Sequence, residues 1–288
     1  MAMFGRLSTA MVTPFNDQLE IDFDKTERLI DHLLETGSES LVVSGTTGES
    51  PTLTGEEKLK LFRHVAQYVG GRAKVVAGTG SNNTQQTIEF TQAASQTGVD
   101  AIMIVSPYYS KTSQEGLYQH FKAVAESTML PVMLYNVPGR SVVNMTAETT
   151  LRLAELPNVV CTKEASGNLT QISQIIEHAP EGFEVYSGDD GLTLPILAIG
   201  GAGVVSVTSH VIGKEMTEMV NAFFNGEVRK AADIHRKLVP VFEGMFKYPS
   251  PTPVKAALNK MGVDVGGVRL PLVELNDEEK AFVYSLLG

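Results

Sequence analysis

The chain has 288 residues, of which 43% are hydrophobic and 19% are charged, and its formal net charge is −10. This balance is typical of a globular protein with a large core, and an α/β barrel of about 250 residues would count as a single domain. The acidic charge and the lack of a basic cluster argue against a nucleic-acid partner.

The absence of cysteine pairs, of long apolar segments and of closely spaced histidines indicates where the protein is located and whether it binds a metal. The one cysteine, Cys161, leaves no intrachain disulfide, which fits a reducing compartment. The N-terminus has no charged region followed by a long apolar core, and the most apolar stretch, residues 192–207, is interrupted by a proline and three glycines. The six histidines are scattered, with none of the close spacings typical of zinc motifs. We therefore expect a cytoplasmic protein with no membrane partner and no metal.

Eight short β-rich runs recur along the chain. Their starts are about 20–35 residues apart, the size of one strand plus one helix in a parallel α/β unit. Their continuously apolar character is expected of strands that are buried on both faces. The runs cover residues 7–12, 40–44, 74–78, 101–106, 132–136, 159–163, 183–187 and 203–207.

The segments between these runs predict helices. Residues 24–36 place leucines and an isoleucine on one face, and residues 54–68 open with the capping-box pattern of Thr54 and Glu57. Further helices are predicted over 83–97, 114–127, 147–156 and 169–178, and the glycines at 200–203 predict a tight helix-to-strand turn. Eight such units predict a closed (β/α)8 barrel, the TIM barrel. The alternative is an open doubly wound sheet, but the chain has no dinucleotide-binding fingerprint.

The pattern changes after the eighth unit. From about residue 226 there is no β-rich run, and residues 227–246, 252–260 and 276–287 read as helices, with Pro253 suited to a first helical turn. We expect two domains, a catalytic barrel over residues 1–225 and a small C-terminal helical domain over residues 226–288.

Polar residues collect where the predicted strands end, the rim at which TIM barrels carry their active sites. Lys163 closes the sixth run, and burial there would lower the pKa of its amine. A neutral amine in a closed pocket is what Schiff-base chemistry with a carbonyl compound requires. Cys161, two residues earlier on the same strand face, is expected to be a core filler. The other rim residues are Thr46, Thr47, Tyr108, Tyr109, Tyr135, Arg140, Asp189 and Asp190.

Each of these residues also has a purely structural interpretation. Lys163 could turn out to solvent, and Thr46 and Thr47 could serve the turn between their flanking glycines. Tyr108 and Tyr109 could form a surface or oligomer contact, Tyr135 a core aromatic, and Arg140 a surface ion pair. For Asp189 and Asp190 we expect capping of the next helix. Their joint position on one rim favours a site for a small anionic carbonyl compound.

Three motifs make the comparison with a known family specific: Gly45-Thr46-Thr47-Gly48-Glu49, Tyr135-Asn136-Val137-Pro138-Gly139-Arg140 and Lys163-Glu164-Ala165-Ser166-Gly167. Together with Ser250-Pro251-Thr252-Pro253-Val254-Lys255, they resemble the 4-hydroxy-tetrahydrodipicolinate (dihydrodipicolinate) synthase family of pyruvate-dependent class I aldolase-like lyases. The resemblance covers essentially the whole chain. It implies condensation of pyruvate with L-aspartate 4-semialdehyde, the first committed step toward diaminopimelate and lysine, without a metal or organic cofactor.

The resemblance also implies roles. Lys163 would form the imine with pyruvate, and Tyr135 would move protons with help from Thr46 and from Tyr109 of a neighbouring subunit. Thr46 and Thr47 would bind the pyruvate carboxylate beside the backbones of Gly188 and Val205, and Arg140 would hold the carboxylate of the semialdehyde. The family's usual assembly is a homotetramer built as a dimer of dimers, with some members dimeric.

Two further expectations concern specificity and regulation. The nearest rival is another pyruvate-dependent aldolase, such as N-acetylneuraminate lyase or a 2-keto-3-deoxy-sugar-acid aldolase. Neuraminate lyases typically show Ser-Thr where this chain has Thr46-Thr47, and they lack an arginine at Arg140, so Thr46 and Arg140 favour the synthase. A rival of another kind is a non-catalytic, ligand-binding barrel, which would form no imine. Gly55, Lys58 and Gln86 stand where lysine-inhibited members carry histidines and a glutamate, so we expect weak or absent inhibition by lysine.

Overall fold

The computed structural model describes residues 2–287, which form a closed barrel of eight parallel strands in the order β1 to β8, with β8 pairing with β1. The strand bounds are Leu7–Ala10 (β1), Ser40–Val43 (β2), Lys74–Gly78 (β3), Ala101–Val105 (β4), Val132–Asn136 (β5), Val159–Glu164 (β6), Glu184–Ser187 (β7) and Gly203–Ser206 (β8). The predicted TIM barrel is therefore confirmed, and each strand lies within a residue of its predicted run or ends earlier than predicted.

Helices follow the strands around the outside of the barrel. They are Phe23–Glu35 (α1), Gly55–Val69 (α2), Thr84–Ala94 (α3), Gln114–Ala125 (α4), Pro138–Ser141 (α5), Ala147–Ala154 (α6), Leu169–His178 (α7), Thr193–Ala198 (α8) and Ser209–Phe224 (α9). Thr54 begins α2 with the predicted capping box, in which its side chain and that of Glu57 each accept a backbone N–H. The turn between α8 and β8 contains Gly200 with a φ of 106°, a conformation that favours glycine.

Three helices complete the chain: Val228–Gly244 (α10), Thr252–Lys260 (α11) and Asp277–Tyr284 (α12). These are the helices expected of the C-terminal region. The division into domains at residue 225 remains a prediction.

The core lies between the strands and the surrounding helices and continues into the barrel interior. Strands β1, β2, β5 and β8 are buried along their whole length. The buried Thr9 hydroxyl, on β1, is hydrogen-bonded to those of Ser38 (2.6 Å) and Ser209 (2.7 Å). Because the closed barrel fixes every strand end at the same rim, the loops that follow the strands converge there.

Candidate active site

Lys163 lies at the C-terminal end of β6 with 5% of its surface exposed. Its strand position pairs with Tyr135 on β5 and with Tyr186 on β7. Nζ lies 4.2 Å from the centroid of the Tyr135 ring. Cys161, two residues earlier, is fully buried, as expected of a core filler. The interpretation of Lys163 as a solvated strand end is therefore wrong.

Burial lowers the pKa of Lys163 to about 8, because the protein interior disfavours the charged ammonium. The Asp190 carboxylate opposes this shift and the Arg140 guanidinium adds to it. An amine with this pKa is partly neutral near physiological pH, so it is a competent nucleophile toward a ketone.

Tyr135 is 5% exposed, and burial raises the pKa of its phenol to about 12. The charge of Arg140 and a hydrogen bond with Thr46 act in the opposite direction. A phenol in this environment stays protonated, so it can donate a hydrogen bond but needs a relay to transfer its proton. Thr46 is the residue whose side chain is hydrogen-bonded to this phenol.

Thr46 and Thr47 lie on the turn after β2. Within it, the Gly48 and Glu49 amides donate to the carbonyls of Gly45 and Thr46, each at 3.1 Å. Thr47 is buried and Thr46 is half-buried. The structural role that the sequence suggested for these residues is real, because the turn is closed by hydrogen bonds. It also presents hydroxyls and N–H groups at the rim, which suits an anion.

A cavity of about 400 Å³ opens beside this turn. Four of the rim residues named from the sequence line it, namely Thr46, Tyr108, Tyr135 and Arg140. Arg140 is exposed on the short helix α5, with its guanidinium available to a ligand. Lys58 and Arg140 are the charged residues of the lining, and both are cationic, so the cavity favours anionic ligands.

Gly188, which follows β7, and Val205, within β8, do not line this cavity, and neither do Lys163 and Thr47. The Gly188 amide donates to the Glu164 carbonyl at 2.8 Å. A Cβ at Gly188 would lie 3.1 Å from Cε of Lys163 and 2.9 Å from Cβ of Ala165. The lysine side chain therefore passes directly over this glycine. Val205 is buried within β8.

Tyr109 is not brought to the site within one chain. It has a φ of 73° and is 88% exposed, beside the partly exposed Tyr108. Left-handed backbone at a tyrosine is uncommon and is found where the surroundings require it.

Two carboxylates that the sequence analysis named, Glu164 and Asp190, are buried near Lys163, and this placement was not predicted. Glu164 accepts hydrogen bonds from Asn136 (2.7 Å), Ser166 (3.1 Å) and Gln171 (3.1 Å). Asp190 accepts from the amides of Val207 (3.1 Å) and Thr208 (2.9 Å), and burial raises its pKa.

The capping role that we expected for the aspartate pair holds for one residue and fails for the other. Asp189 accepts from the Gly191 amide at 2.9 Å and caps the 3-10 turn of residues 190–192. The expectation for Asp190 is wrong, because its side chain turns inward to the end of β8. An acidic pair before an apolar helix gives no signal that separates these two roles.

Within residues 2–287 no cluster of three or more His, Cys, Asp or Glu side chains is arranged to hold a metal ion. In the same range, no helix combines the length and apolar character that crossing a bilayer would need.

A sequence model of the dihydrodipicolinate synthetase family matches residues 3–288. The chain belongs to this family. The resemblance found in the motifs is thus confirmed over nearly the whole chain, and the protein is an enzyme of the lyase class.

Relatives in the family are similar over their full length. A 4-hydroxy-tetrahydrodipicolinate synthase 1 from Halalkalibacterium halodurans is 62% identical over 276 residues, which cover 96% of this chain and 94% of that enzyme. A crystal structure of a dihydrodipicolinate synthase from Bacillus anthracis is 56% identical with a TM-score of 0.98, covering 100% of this chain and 98% of the other. A family member from Cyanidioschyzon merolae, solved with lysine bound, is 45% identical with a TM-score of 0.97, with coverage of 100% and 98%.

Proposed function

We propose that this chain condenses pyruvate with L-aspartate 4-semialdehyde to give 4-hydroxy-tetrahydrodipicolinate, through an imine between pyruvate and Lys163. The observation that carries the proposal is the buried Lys163 amine, with its lowered pKa, against the ring of Tyr135. Membership of the dihydrodipicolinate synthetase family supplies the substrates.

The chemistry follows from these groups. The neutral amine attacks the ketone carbon of pyruvate, and loss of water leaves an imine. The imine acts as an electron sink, so the methyl group loses a proton and becomes an enamine carbon that attacks the aldehyde. The amino group of the semialdehyde then attacks the imine carbon, which closes the ring and releases Lys163 as the free amine. Tyr135 and the Thr46 hydroxyl move the protons of these steps.

The positions of the two substrates follow from the hydrogen-bond donors of the turn after β2 and from the positive charge of Arg140. The turn of Thr46 and Thr47 holds the pyruvate carboxylate, beside the backbones of Gly188 and Val205. Arg140, on the lining of the same cavity, holds the carboxylate of the semialdehyde. The strong exposure of Tyr109 supports its contribution to the site of a neighbouring subunit in a dimer or in a tetramer of two dimers. The cytoplasmic location stays a prediction.

Borohydride reduction in the presence of pyruvate, followed by peptide mass mapping, tests the imine directly. We expect one pyruvate-derived adduct on Lys163, none in a Lys163→Met variant, and an unchanged adduct in Lys74→Met, which removes a surface lysine paired with Asp100. Failure to trap pyruvate at Lys163 would favour a non-catalytic, ligand-binding barrel.

A coupled assay separates the synthase from its nearest rivals. We expect turnover with pyruvate and aspartate semialdehyde, and none in the cleavage or synthesis of N-acetylneuraminate or of 2-keto-3-deoxy sugar acids. Turnover with a sugar substrate alone would overturn the assignment.

We also propose that lysine inhibits this enzyme weakly or not at all. Gly55, Lys58 and Gln86 line the cavity together with Ser50 and Tyr108. Lys58 places a cation where the ammonium of a bound lysine would lie, and Gln86 offers no carboxylate to balance it. Rates measured over a lysine titration should stay near the uninhibited value, and the double variant Lys58→His/Gln86→Glu should gain sensitivity. Strong inhibition of the unaltered chain at low lysine concentration would refute this.

A further inference from the structure

A buried ion pair joins the C-terminal helices to the turn after β2. Nζ of Lys255, on α11, lies 2.9 Å from Oε1 of Glu49, and the two side chains are 2% and 0% exposed. Nζ also donates to the carbonyls of Thr13 (2.9 Å) and Gly267. Three acceptors saturate the three N–H bonds of the ammonium, so the lysine can adopt this place without an unsatisfied donor.

The second oxygen of Glu49 reaches a different segment. Oε2 accepts a hydrogen bond from the Arg269 amide at 2.9 Å. The Arg269 guanidinium in turn donates to the Thr52 carbonyl at 3.0 Å and forms an ion pair with Glu57 at 2.6 Å. The carboxylate of Glu49 is therefore held by two parts of the C-terminal region, one on α11 and one in the chain that follows it.

Glu49 is the last residue of the turn that carries Thr46 and Thr47. It has a φ of 56°, a left-handed conformation that its surroundings must maintain. Its amide donates to the Thr46 carbonyl, and the Thr13 hydroxyl donates to the Gly48 carbonyl at 2.7 Å. Because Lys255 contacts both Glu49 and the Thr13 carbonyl, it fixes the turn together with the segment after β1 that supports it.

We propose that Lys255 and Glu49 are positioning residues, which hold Thr46 and Thr47 in place for the pyruvate carboxylate. This inference rests on the proposed function, since it assigns these threonines to pyruvate. The C-terminal helices then take part in substrate binding through a pair of side chains that do not touch the substrate. Loss of the pair leaves Lys163 and Tyr135 in place but allows the turn to move.

The test uses the full chain with Lys255→Met and Glu49→Gln, and measures KM for each substrate, kcat and Tm. We expect the KM for pyruvate, and the pyruvate concentration that half-saturates borohydride trapping, to rise about tenfold or more, the effect of losing a hydrogen bond to a charged group. The KM for aspartate semialdehyde should change less. Glu49→Gln keeps the shape and an acceptor for the Arg269 amide, so it should have the milder effect.

The control is Val283→Ala on α12, a fully buried position whose side chain takes no part in the hydrogen bonds of the pair. The change should loosen the C-terminal region. It should lower Tm and leave the KM for pyruvate unchanged. If Lys255→Met and Glu49→Gln also lower Tm without raising the KM for pyruvate, their role is structural and the proposal is wrong. If Lys255→Met does not fold, the KM for pyruvate of Glu49→Gln decides. Absence of turnover by the unaltered chain would instead refute the proposed function.

Discussion

Lys163 and Tyr135 are partners across neighbouring strands, and the amine of one lies 4.2 Å from the ring centroid of the other. Parallel pairing of β5 and β6 sets this relationship, so the two groups cannot drift apart without disturbing the barrel. Burial acts on them in opposite directions, because it lowers the pKa of the amine and raises that of the phenol. The site therefore holds a nucleophilic amine, Lys163, beside a weakly acidic phenol, Tyr135.

Replacing Tyr135 by phenylalanine removes the hydroxyl and keeps the buried ring. We expect kcat to fall by about 10²–10⁴-fold, the usual contribution of a positioned acid or base. Tm should change little, since the packing is retained. Steady-state kinetics and a thermal melt measure the two effects. A Thr46→Val variant, which removes one relay hydroxyl, should lose less activity, and an unimpaired Tyr135→Phe enzyme would exclude the proposed role.

The pH dependence of imine trapping reports the ionisation of Lys163. Only the neutral amine attacks, so the rate should be low in acid and rise with pH through about 8, the pKa of Lys163. Tyr135, with a pKa of about 12, stays protonated throughout this range.

Two charged neighbours should move the pH at which the trapping rate is half-maximal, the midpoint, in opposite directions. Arg140→Met removes a cation that lowers the pKa of Lys163, so the midpoint should rise. Asp190→Asn removes a carboxylate that raises it, so the midpoint should fall. Initial trapping rates of the three proteins across the pH range give the comparison, and shifts in the same direction would contradict the electrostatic account.

Gly188→Ala should impair both folding and imine formation. The new Cβ would crowd Cε of Lys163 and Cβ of Ala165, and overpacking of this kind costs about 1–3 kcal/mol. We expect a lower Tm and slower trapping of pyruvate. Gly139→Ala, on the same rim but with no atom within 4 Å of its added Cβ, should leave both nearly unchanged. Equal behaviour of the two variants would show that Gly188 does not seat the lysine.

Complementation between two inactive variants can show whether Tyr109 acts in the site of its own chain or in that of a neighbouring subunit. In a twofold dimer that exchanges this residue, a hybrid of Tyr109→Phe and Tyr135→Phe chains contains one intact site. Co-expression in equal amounts should restore about a quarter of the activity of the unaltered enzyme, since half of the dimers are hybrid and half of their sites are complete. Activity no higher than that of either variant alone would show that Tyr109 acts in its own chain or not at all.

Local sequence patterns predicted the barrel and its helices well, because strand runs, caps and terminal glycines are signals within a few residues of each other. They also predicted that Lys163, Tyr135 and Thr46 lie on one rim, because strand order alone determines which loops converge. The inward turn of Asp190 and the pairing of Glu49 with Lys255 lay beyond such signals. The latter two residues are 206 positions apart in the chain, and nothing in either neighbourhood indicates the other.

Cys161, beneath Lys163, is fully buried, and burial raises the pKa of its thiol well above the usual value. It is the one cysteine of the chain. Reagents that attack thiolates should therefore leave the native enzyme unmodified. A cysteine introduced at an exposed position would be the single reactive handle for a spin label or a fluorophore, with no native residue to remove. The environment of the label could then be followed during turnover on an otherwise unaltered enzyme.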